Sequence, residues 1–412
     1  MADQSQPAGL GARRAALKLL DAVLRRGETL DQAEGVAARG LAPEDRALAR
    51  AIASEALRWL VDLDALIDSA TKRRLPDDAK PRMVLRLMLA QALRLETPPH
   101  AVIATGLPLL AGGPRRLAHG VFSTLTKRGA ALPPVPTLPD AVAARWGTRA
   151  ETIAMGLSEP PPLDLALRDV HETDAWAERQ GGMSLAPSHI RLSRGSRIEE
   201  LLGFAEGAWW VQDLAASLPA RLLGEGAGRR VLDLAAAPGG KTLQLATAGW
   251  DVTALDISKR RMERLKENLA RTGLSAHTVI ADALQWQPER AFDAILLDAP
   301  CTATGTCRRH PDVLHRIGPR QIEELAELQT ALLDRATEWL ASGGTLIYAV
   351  CSLERAEGEE QAERVQLTPE PIRADELPAN LAATTDGWLR TDPGMLPDVG
   401  GLDGFFIARW RA

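Results

Sequence analysis

The sequence predicts a multidomain chain: an all-helical bundle first, a small α+β adaptor next, and an α/β domain with a doubly wound parallel sheet last. Three observations support this prediction. The chain has 412 residues, enough for two or three domains at about 150 residues each. Apolar residues recur at helical spacing near the N-terminus. Strand-like and helix-like stretches alternate from residue 229 onwards. We therefore predict domains at 1–135, 136–228 and 229–412.

The first domain is predicted to be helical because apolar positions follow three- and four-residue spacing in stretches 12–26, 44–67 and 80–95. Pro43 with Glu44 suits the first turn of the second helix, where proline and acids are favoured. The domain is also basic. Residues 1–130 hold 20 Lys and Arg against 14 Asp and Glu, although the whole chain has a net charge of −5. This asymmetry indicates a polyanionic partner for the front end.

The middle of the chain is predicted to be a stiff linker followed by a small mixed unit. The prolines of stretch 132–140 favour the linker. Strand-like pieces at 163–170 and 189–193 then lie among helical ones. We predict a small α+β adaptor here.

The last domain shows the alternation typical of a doubly wound sheet. The candidate strands are 229–237, 251–258, 277–283, 292–300 and 344–352, and 401–410 is a plausible late strand. The helical stretches between them are 241–249, 259–273 and 319–343. In such a sheet the ligand binds beyond the carboxyl ends of the strands, so the residues there are the candidates for chemistry.

Acidic side chains end four of these strands. They are Asp233, Asp256, Asp282 and Asp298. Four acids suit the hydroxyl groups and base of a nucleoside, and they would repel a bare phosphate. The alternative is that individual acids cap helices or turns. The loop after Asp233 contains Gly239 and Gly240, which permit a tight turn and close approach of the backbone to a ligand.

Three nucleotide-binding folds compete for this pattern. A dinucleotide dehydrogenase requires G-x-G-x-x-G after the first strand, which is absent. A P-loop NTPase matches at Gly240-Lys241-Thr242, but Ala235 stands where its first glycine is required and Pro238 interrupts the loop. An S-adenosylmethionine-dependent methyltransferase needs a glycine-rich turn and acids for ribose and adenine, which the sequence supplies.

Three cysteines, Cys301, Cys307 and Cys351, are too few for a disulfide framework. The N-terminus lacks a signal-peptide layout and no apolar run is long enough to span a bilayer, so we expect a cytoplasmic protein and no membrane partner. Cys301 and Cys351 follow neighbouring strands, where a thiolate is a strong nucleophile. A zinc site that adds Cys307 and His310 is the alternative, but the spacing lacks the usual paired cysteines.

Longer motifs carry a resemblance to a known family. They are DLAAAPGGKT (233–242), DAPCTATG (298–305), YAVCSL (348–353), RRHPDVL (308–314), VQDLAAS (211–217) and DGFFIARW (403–410). At these residues the chain resembles the RsmB/Sun family of RNA 5-methylcytosine methyltransferases. The stretches 53–60 and 98–110 are similar to a NusB-type RNA-binding domain, an extension typical of the family's bacterial small-subunit ribosomal RNA branch.

The resemblance implies a Rossmann-like catalytic domain that forms 5-methylcytosine in 16S ribosomal RNA. It implies Cys351 as the nucleophile and Cys301 as the group that assists release, whereas the residues alone do not choose between them. Asp298 is expected to hold the target base or the cofactor. The residues implied in binding S-adenosylmethionine are Ala235, Ala236, Ala237, Pro238, Gly239, Gly240, Lys241, Asp256, Asp282 and Asp298. We expect no metal and a monomer.

Basic residues are expected to contact RNA phosphates. They are Arg115, Arg116, Lys127, Arg128, Arg308 and Arg309. The RNA is free or part of a partly assembled small subunit. Transfer RNA is the alternative substrate, and a non-catalytic RNA-binding assembly factor is the alternative from another class.

The sequence departs from the family pattern near both catalytic cysteines. Val350 stands where the family has threonine, and only this feature favours the non-catalytic alternative. Thr302-Ala303-Thr304-Gly305 replaces the usual Ser-Gly-Thr-Gly. Cys307 takes the place of an aliphatic residue, and we expect it to fill the core.

Overall fold

The computed structural model describes residues 8–193, 195 and 197–412. The chain divides into two compact units, one comprising the chain up to Ser158 with 309–317, the other 159–308 with 318–412. The predicted domain boundaries at 135 and 228 stay predictions. The first seven residues of the predicted helical domain lie outside the described residues.

The regular elements are numbered in chain order. The helices are α1 (Leu10–Arg26), α2 (Leu30–Ala37), α3 (Pro43–Arg58), α4 (Leu60–Ser69), α5 (Lys80–Leu93), α6 (Pro99–Gly106), α7 (Gly112–Lys127), α8 (Asp140–Trp146), α9 (Ala150–Met155), α10 (Thr173–Gln180), α11 (Leu214–Arg221), α12 (Gly240–Thr247), α13 (Lys259–Thr272), α14 (Val313–Arg316), α15 (Pro319–Glu338) and α16 (Glu359–Ala362). The strands are β1 (Leu163–Leu167), β2 (Met183–Ala186), β3 (His189–Leu192), β4 (Trp209–Val211), β5 (Arg230–Leu234), β6 (Asp251–Asp256), β7 (His277–Ile280), β8 (Phe292–Asp298), β9 (Leu340–Val350), β10 (Thr368–Pro369), β11 (Leu389–Thr391) and β12 (Phe405–Arg411). Short 3-10 turns lie at Leu107–Leu109, Gly147–Arg149, Val170–Glu172, Ile198–Glu200, Thr304–Thr306, Arg355–Glu357, Ala374–Glu376 and Pro397–Val399.

The first unit is a helical bundle, as predicted, and α3 begins at Pro43 with Glu44 in its first turn. The predicted single helix 44–67 is wrong, because the backbone leaves helical geometry at Trp59, which is buried between α3 and α4. The stretch predicted to be a stiff linker contacts the helical bundle. Thr137 donates from its backbone amide and its hydroxyl to the Asp62 carboxylate, at 2.9 and 2.7 Å, so this stretch packs on the bundle.

Residues 309–317 belong to the helical unit although they follow β8 in sequence. The short helix α14 packs against α1. The His315 Nε2 atom lies 2.7 Å from the Leu57 carbonyl oxygen. Val313, Leu314 and Ile317 are buried. The segment is therefore part of this unit's core.

The second unit contains two sheets. The smaller one is antiparallel with strand order β2-β3-β1-β4, and it confirms short strands near 163–170 and 189–193. Arg191 and Asp164 form a buried, two-pronged ion pair within it, with both N–O distances at 2.7 Å. Arg191 also donates to the Gly401 carbonyl at 2.8 Å, which fastens this sheet to the loop before β12.

The larger sheet has the order β10-β12-β9-β8-β5-β6-β7, with β11 paired to β12. Strands β5 to β9 run parallel, as predicted. The late strand β12, whose direction the sequence left open, runs antiparallel to β9. Val231 and Leu232 lie in different apolar clusters, which is expected of a strand covered on both faces.

Candidate active site

The two cysteines meet because their strands are parallel neighbours. Asp298 of β8 is in register with Ala349 of β9, so Cys301 and Cys351 leave the same edge of the sheet within three residues. Their Sγ atoms lie 3.5 Å apart, and both side chains are partly exposed. The sequence prediction that these thiols share the ligand edge is consistent with this geometry.

A buried lysine stands beside the thiols. The Lys241 Nζ atom lies 2.7 Å from Asp298 Oδ2. Burial alone would lower the pKa of Lys241, but the negative charge of Asp298 outweighs burial and raises it. Lys241 also interacts electrostatically with Cys351. The site therefore holds a permanent cation close to Cys351.

Cys301 lies in a different electrostatic environment. The hydrogen bond to Cys351 and then burial raise the pKa of the Cys301 thiol, and the charge of Glu357 adds to this. A thiol whose pKa is raised stays protonated at neutral pH. The two neighbouring sulfurs are thus chemically unequal.

The loop between β5 and α12 is shaped for close approach of a ligand. Ala235 and Gly239 both have positive φ angles, of 66° and 108°. A Cβ on Gly239 would come 2.8 Å from the Leu265 side chain, so only glycine fits without a shift. The Ala237 amide donates to the Asp256 carboxylate at 3.1 Å, which ties this loop to the end of β6.

Asp233 is fully buried at the end of β5 and accepts a hydrogen bond from the Thr242 hydroxyl at 2.5 Å. No atom of the described residues is hydrogen-bonded to its other oxygen, Oδ1. Burial raises the pKa of Asp233 to about 7, against the lowering effect of the Thr242 bond.

Asp256 and Asp282 also serve their own loops. Asp256 is buried and accepts from the Ser258 amide at 2.7 Å. Asp282 accepts from the Leu284 amide at 2.9 Å. Both carboxylates therefore cap turns, the alternative that the sequence left open, and their role towards a nucleoside stays a prediction.

Two exposed aliphatic side chains next to these acids were missed from the sequence. Ile257, directly after Asp256, is 65% exposed, and Leu284, two residues after Asp282, is 41% exposed. Large apolar side chains at a ligand edge offer surface to a flat aromatic ring. Isolated aliphatic residues carry no sequence signal of exposure, which explains why they were missed.

The departures from the family pattern have structural explanations. Ala303 has a φ angle of 57°, in the left-handed region that favours glycine. A Cβ on Gly305 would come 1.9 Å from the Gly404 carbonyl oxygen, so glycine is required there. Val350 is fully buried in an apolar cluster of the sheet, and the bearing of this substitution on catalysis stays a prediction.

The residues predicted to contact RNA differ in their exposure. Arg115, Arg116, Lys127 and Arg128 are all exposed, on α7 or directly after it. Arg309 is half-buried. The prediction for Arg308 is wrong.

Arg308 is almost completely buried, with 1% of its surface exposed. Its Nη2 atom lies 3.0 Å from carboxylate oxygens of both Asp213 and Asp403. A guanidinium already paired with two carboxylates in the interior has no free surface for a phosphate. Its role is to hold the loop before β12 in place.

Cys307 is fully buried, which confirms the expected packing role. Over the described ranges, no three His, Cys, Asp or Glu side chains lie close enough to hold a metal ion. In the part of the chain that the structure describes, no helix is both long enough and apolar enough to cross a membrane.

Comparison with known proteins gives matches along most of the chain. The sequence profile of the 16S rRNA methyltransferase RsmB/F family matches residues 220–411. The NusB family profile matches residues 10–109. The ribosomal RNA small subunit methyltransferase B of Citrobacter koseri is 32% identical over 96% of this chain and 98% of its own length. The protein of the same name from Salmonella arizonae is 33% identical over 96% and 97%.

Solved structures share the fold. The crystal structure of PH0851 covers 97% of this chain and 98% of its own, with a TM-score of 0.72 and 22% identity. A methyltransferase homologue from Pyrococcus horikoshii covers 66% of this chain and 93% of its own, with a TM-score of 0.55 and 27% identity.

Proposed function

Because the chain belongs to the RsmB/F family of 16S rRNA methyltransferases, we propose that it methylates carbon 5 of a cytosine in small-subunit ribosomal RNA, with S-adenosylmethionine as the methyl donor. The observation that carries the proposal is the pair of thiols 3.5 Å apart at the carboxyl edge of the sheet. Two thiols suit this reaction because one must add to the cytosine ring and the second must help to release the first from the ring.

Cytosine carbon 5 is a weak nucleophile, and addition of a thiolate to carbon 6 turns the ring into an enamine. We assign this addition to Cys351. When bound, S-adenosylmethionine supplies an electrophilic methyl group. Loss of the carbon-5 proton to a base then restores the double bond and expels the Cys351 thiolate. Cys301, next to Cys351, is assigned to this release.

The electrostatics support this division of roles. The Lys241 cation interacts electrostatically with Cys351. The hydrogen bond to Cys351, burial and the Glu357 charge disfavour a Cys301 thiolate. A nucleophile must be ionised before it attacks. The sequence left the choice between the cysteines open, and these surroundings favour Cys351.

The residues at the strand ends fit the cofactor. The positive φ angle at Gly239 and the unpartnered oxygen of Asp233 belong to a cradle of close backbone and polar groups. We assign loop 235–241 to cofactor binding, with Asp256 for the ribose and Asp282 for the adenine edge. Ile257 and Leu284 provide apolar surface for the purine ring.

The RNA is expected to bind through phosphate contacts from the exposed cations Arg115, Arg116, Lys127 and Arg128. Such contacts fix the position of the RNA without reading sequence. The target cytosine must leave its stack to reach the thiols. We place the reaction in the cytoplasm, on free RNA or on a partly assembled subunit.

A methyl-transfer assay tests the proposal. The full chain is incubated with S-adenosylmethionine labelled in the methyl group and with unmethylated small-subunit ribosomal RNA or transfer RNA in separate reactions. We expect label in 5-methylcytosine of the ribosomal RNA. Cys351→Ala should abolish transfer, and Cys301→Ala should accumulate a covalent protein–RNA adduct because release is blocked.

Cys307→Ala is the matched control, since it removes a buried thiol outside the site. It should transfer the methyl group at close to the native rate. Activity in Cys351→Ala contradicts the assigned mechanism. Label in transfer RNA alone contradicts the assigned substrate.

A further inference from the structure

A buried carboxylate joins the two cysteine loops. Glu357 is fully buried just beyond the end of β9. Its Oε1 atom accepts from the Thr302 amide at 2.9 Å and from Gln329 Nε2 at 3.0 Å. Its Oε2 atom accepts from the Ser352 hydroxyl at 2.5 Å and from the Thr302 hydroxyl. Four donors therefore converge on one side chain.

These donors are the immediate neighbours of the reactive thiols. Thr302 directly follows Cys301, and Ser352 directly follows Cys351. Gln329, from the buried side of α15, also donates to the Pro300 carbonyl oxygen at 2.9 Å, on the other side of Cys301. The carboxylate thus connects both sides of one cysteine to the chain next to the other.

The same carboxylate adds to the electrostatic field around the thiols. Burial raises the pKa of Glu357, and its four hydrogen bonds act in the opposite direction. An ionised carboxylate is acceptor-only and matches four donors. Among the other charged or titratable groups nearby, Lys241 interacts electrostatically with Cys351 and Tyr348 of β9 with Cys301. Arg390 donates to the Ser352 carbonyl oxygen.

We propose that Glu357 is a positioning residue, whose carboxylate holds the Cys301 and Cys351 loops at reacting distance. The side chain is fully buried. The catalytic consequence rests on the proposed function. The arrangement of the thiols can be tested without RNA or cofactor.

Two substitutions of Glu357 separate the effect of side-chain length from the effect of side-chain charge. Glu357→Gln keeps the length of the side chain but removes its charge and two acceptor sites. Glu357→Asp keeps the charge but shortens the side chain by one methylene group. Since a displacement of about 1 Å can lower a rate by about 10²-fold, both variants should lose kcat by about that factor. The KM values for RNA and for S-adenosylmethionine should stay within about twofold of native.

The thiol arrangement is measured on the full chain in a Cys307→Ala background, which leaves two cysteines. Diamide oxidises two neighbouring thiols to a disulfide and is itself reduced to the hydrazine, so its rate reports how often the sulfurs meet. We expect slower disulfide formation in both Glu357 variants. Iodoacetamide alkylation at pH 8, read for each cysteine by mass spectrometry, should be severalfold faster at Cys301 in Glu357→Gln and unchanged in Glu357→Asp.

Glu376→Gln is the matched control. Glu376 is a carboxylate of the same unit, paired with Arg409 at 2.7 and 2.9 Å, and it contacts neither cysteine loop. This variant should show native kcat, oxidation and alkylation rates. A loss in the control equal to that of the Glu357 variants would mean that removal of any paired carboxylate loosens the sheet, and it would overturn the proposal.

If the Glu357 variants fail to fold, two less disruptive variants at Thr302 test the same contact. Thr302→Val removes one hydroxyl donor to Glu357, and Thr302→Ser keeps it. We expect slower disulfide formation in Thr302→Val and native behaviour in Thr302→Ser. Native oxidation and alkylation rates in Glu357→Gln, or in Thr302→Val if Glu357→Gln does not fold, would overturn the proposal. If the oxidation rates change as expected while RNA is never methylated, the proposed function fails and the positioning role stands.

Discussion

Replacement of Asp233 by asparagine should change how the stability of the second unit depends on pH. Asp233 is fully buried, and its Oδ1 atom has no hydrogen-bond partner among the described residues. Burial raises its pKa from the usual 3.8 to about 7. The folded protein therefore retains a proton on Asp233 at pH values where the unfolded chain has lost it.

The magnitude follows from the two pKa values. The difference between 3.8 and about 7 corresponds to about 4 kcal/mol of free energy of unfolding. The contribution of Asp233 is fully present below about pH 4 and is lost as the pH rises through about 7. Between pH 5 and pH 8 the native protein should lose about 3 kcal/mol through this group.

Asparagine does not titrate, so the free energy of unfolding of Asp233→Asn should not fall in this way as the pH rises. The substitution also weakens the bond with Thr242 and adds an amide donor, but these effects do not vary with pH. The difference in free energy of unfolding, variant minus native, should therefore increase by about 3 kcal/mol from pH 5 to pH 8. Urea unfolding followed by circular dichroism at both pH values measures it.

Asp251→Asn is the control, because Asp251 is an exposed carboxylate at the other end of the neighbouring strand β6. Its pH profile should run parallel to that of the native protein. Parallel profiles for Asp233→Asn as well would refute the reasoning, since they would show that the buried carboxylate does not retain its proton.

Three further predictions follow from contacts already described. Lys241→Met leaves Asp298 without the cation 2.7 Å away and should weaken S-adenosylmethionine binding by at least about tenfold, measured by calorimetry; unchanged affinity contradicts the assigned cofactor site. Burial lowers the pKa of His315 to about 4, so the unfolded chain takes up the proton first as the pH falls from 7 to 4. The helical unit should lose about 2 kcal/mol over this range, allowing for partial exposure of the ring. His315→Gln keeps a donor for Leu57 and should remove this loss in urea titrations followed by tryptophan fluorescence; a retained loss assigns it to another group. Ala303→Gly relieves the left-handed φ angle and should stabilise the protein by about 0.5 kcal/mol, whereas a fall in Tm would show that the alanine is not strained.

Much of the catalytic sheet was predictable because local patterns determine it. Short apolar runs gave the strands to within a few residues, apart from an earlier start for β9. Side chains that end parallel strands must share one edge, whatever their distance in sequence. This rule alone placed Cys301 near Cys351, although the residues could not choose the nucleophile. The raised pKa of the Cys301 thiol comes from the hydrogen bond to Cys351, from burial and from the charge of Glu357, which act together only in the folded chain.

The features that the sequence left open or predicted wrongly concern long-range pairing. The direction of β12 depends on its partner β9, and periodicity contains no information about direction. The break at Trp59 lies inside an apolar pattern that continues across it. Arg308 was predicted to contact RNA phosphates, but its two carboxylate partners lie 95 residues away in either direction. Pairing at that separation has no local signal.

The segment 309–317 has a consequence for dissecting the protein. Because these nine residues lie between the two cysteine motifs yet are packed in the helical unit, the chain visits that unit twice. A fragment that starts after Ser158 would carry α14 without α1, against which it packs, and newly exposed apolar side chains would promote aggregation. Supplying residues 8–158 as a separate polypeptide would restore the cover. The two pieces should therefore reassemble as a split protein. Segment 309–317, which is part of the second piece in sequence, would pack against the first piece and hold the two together.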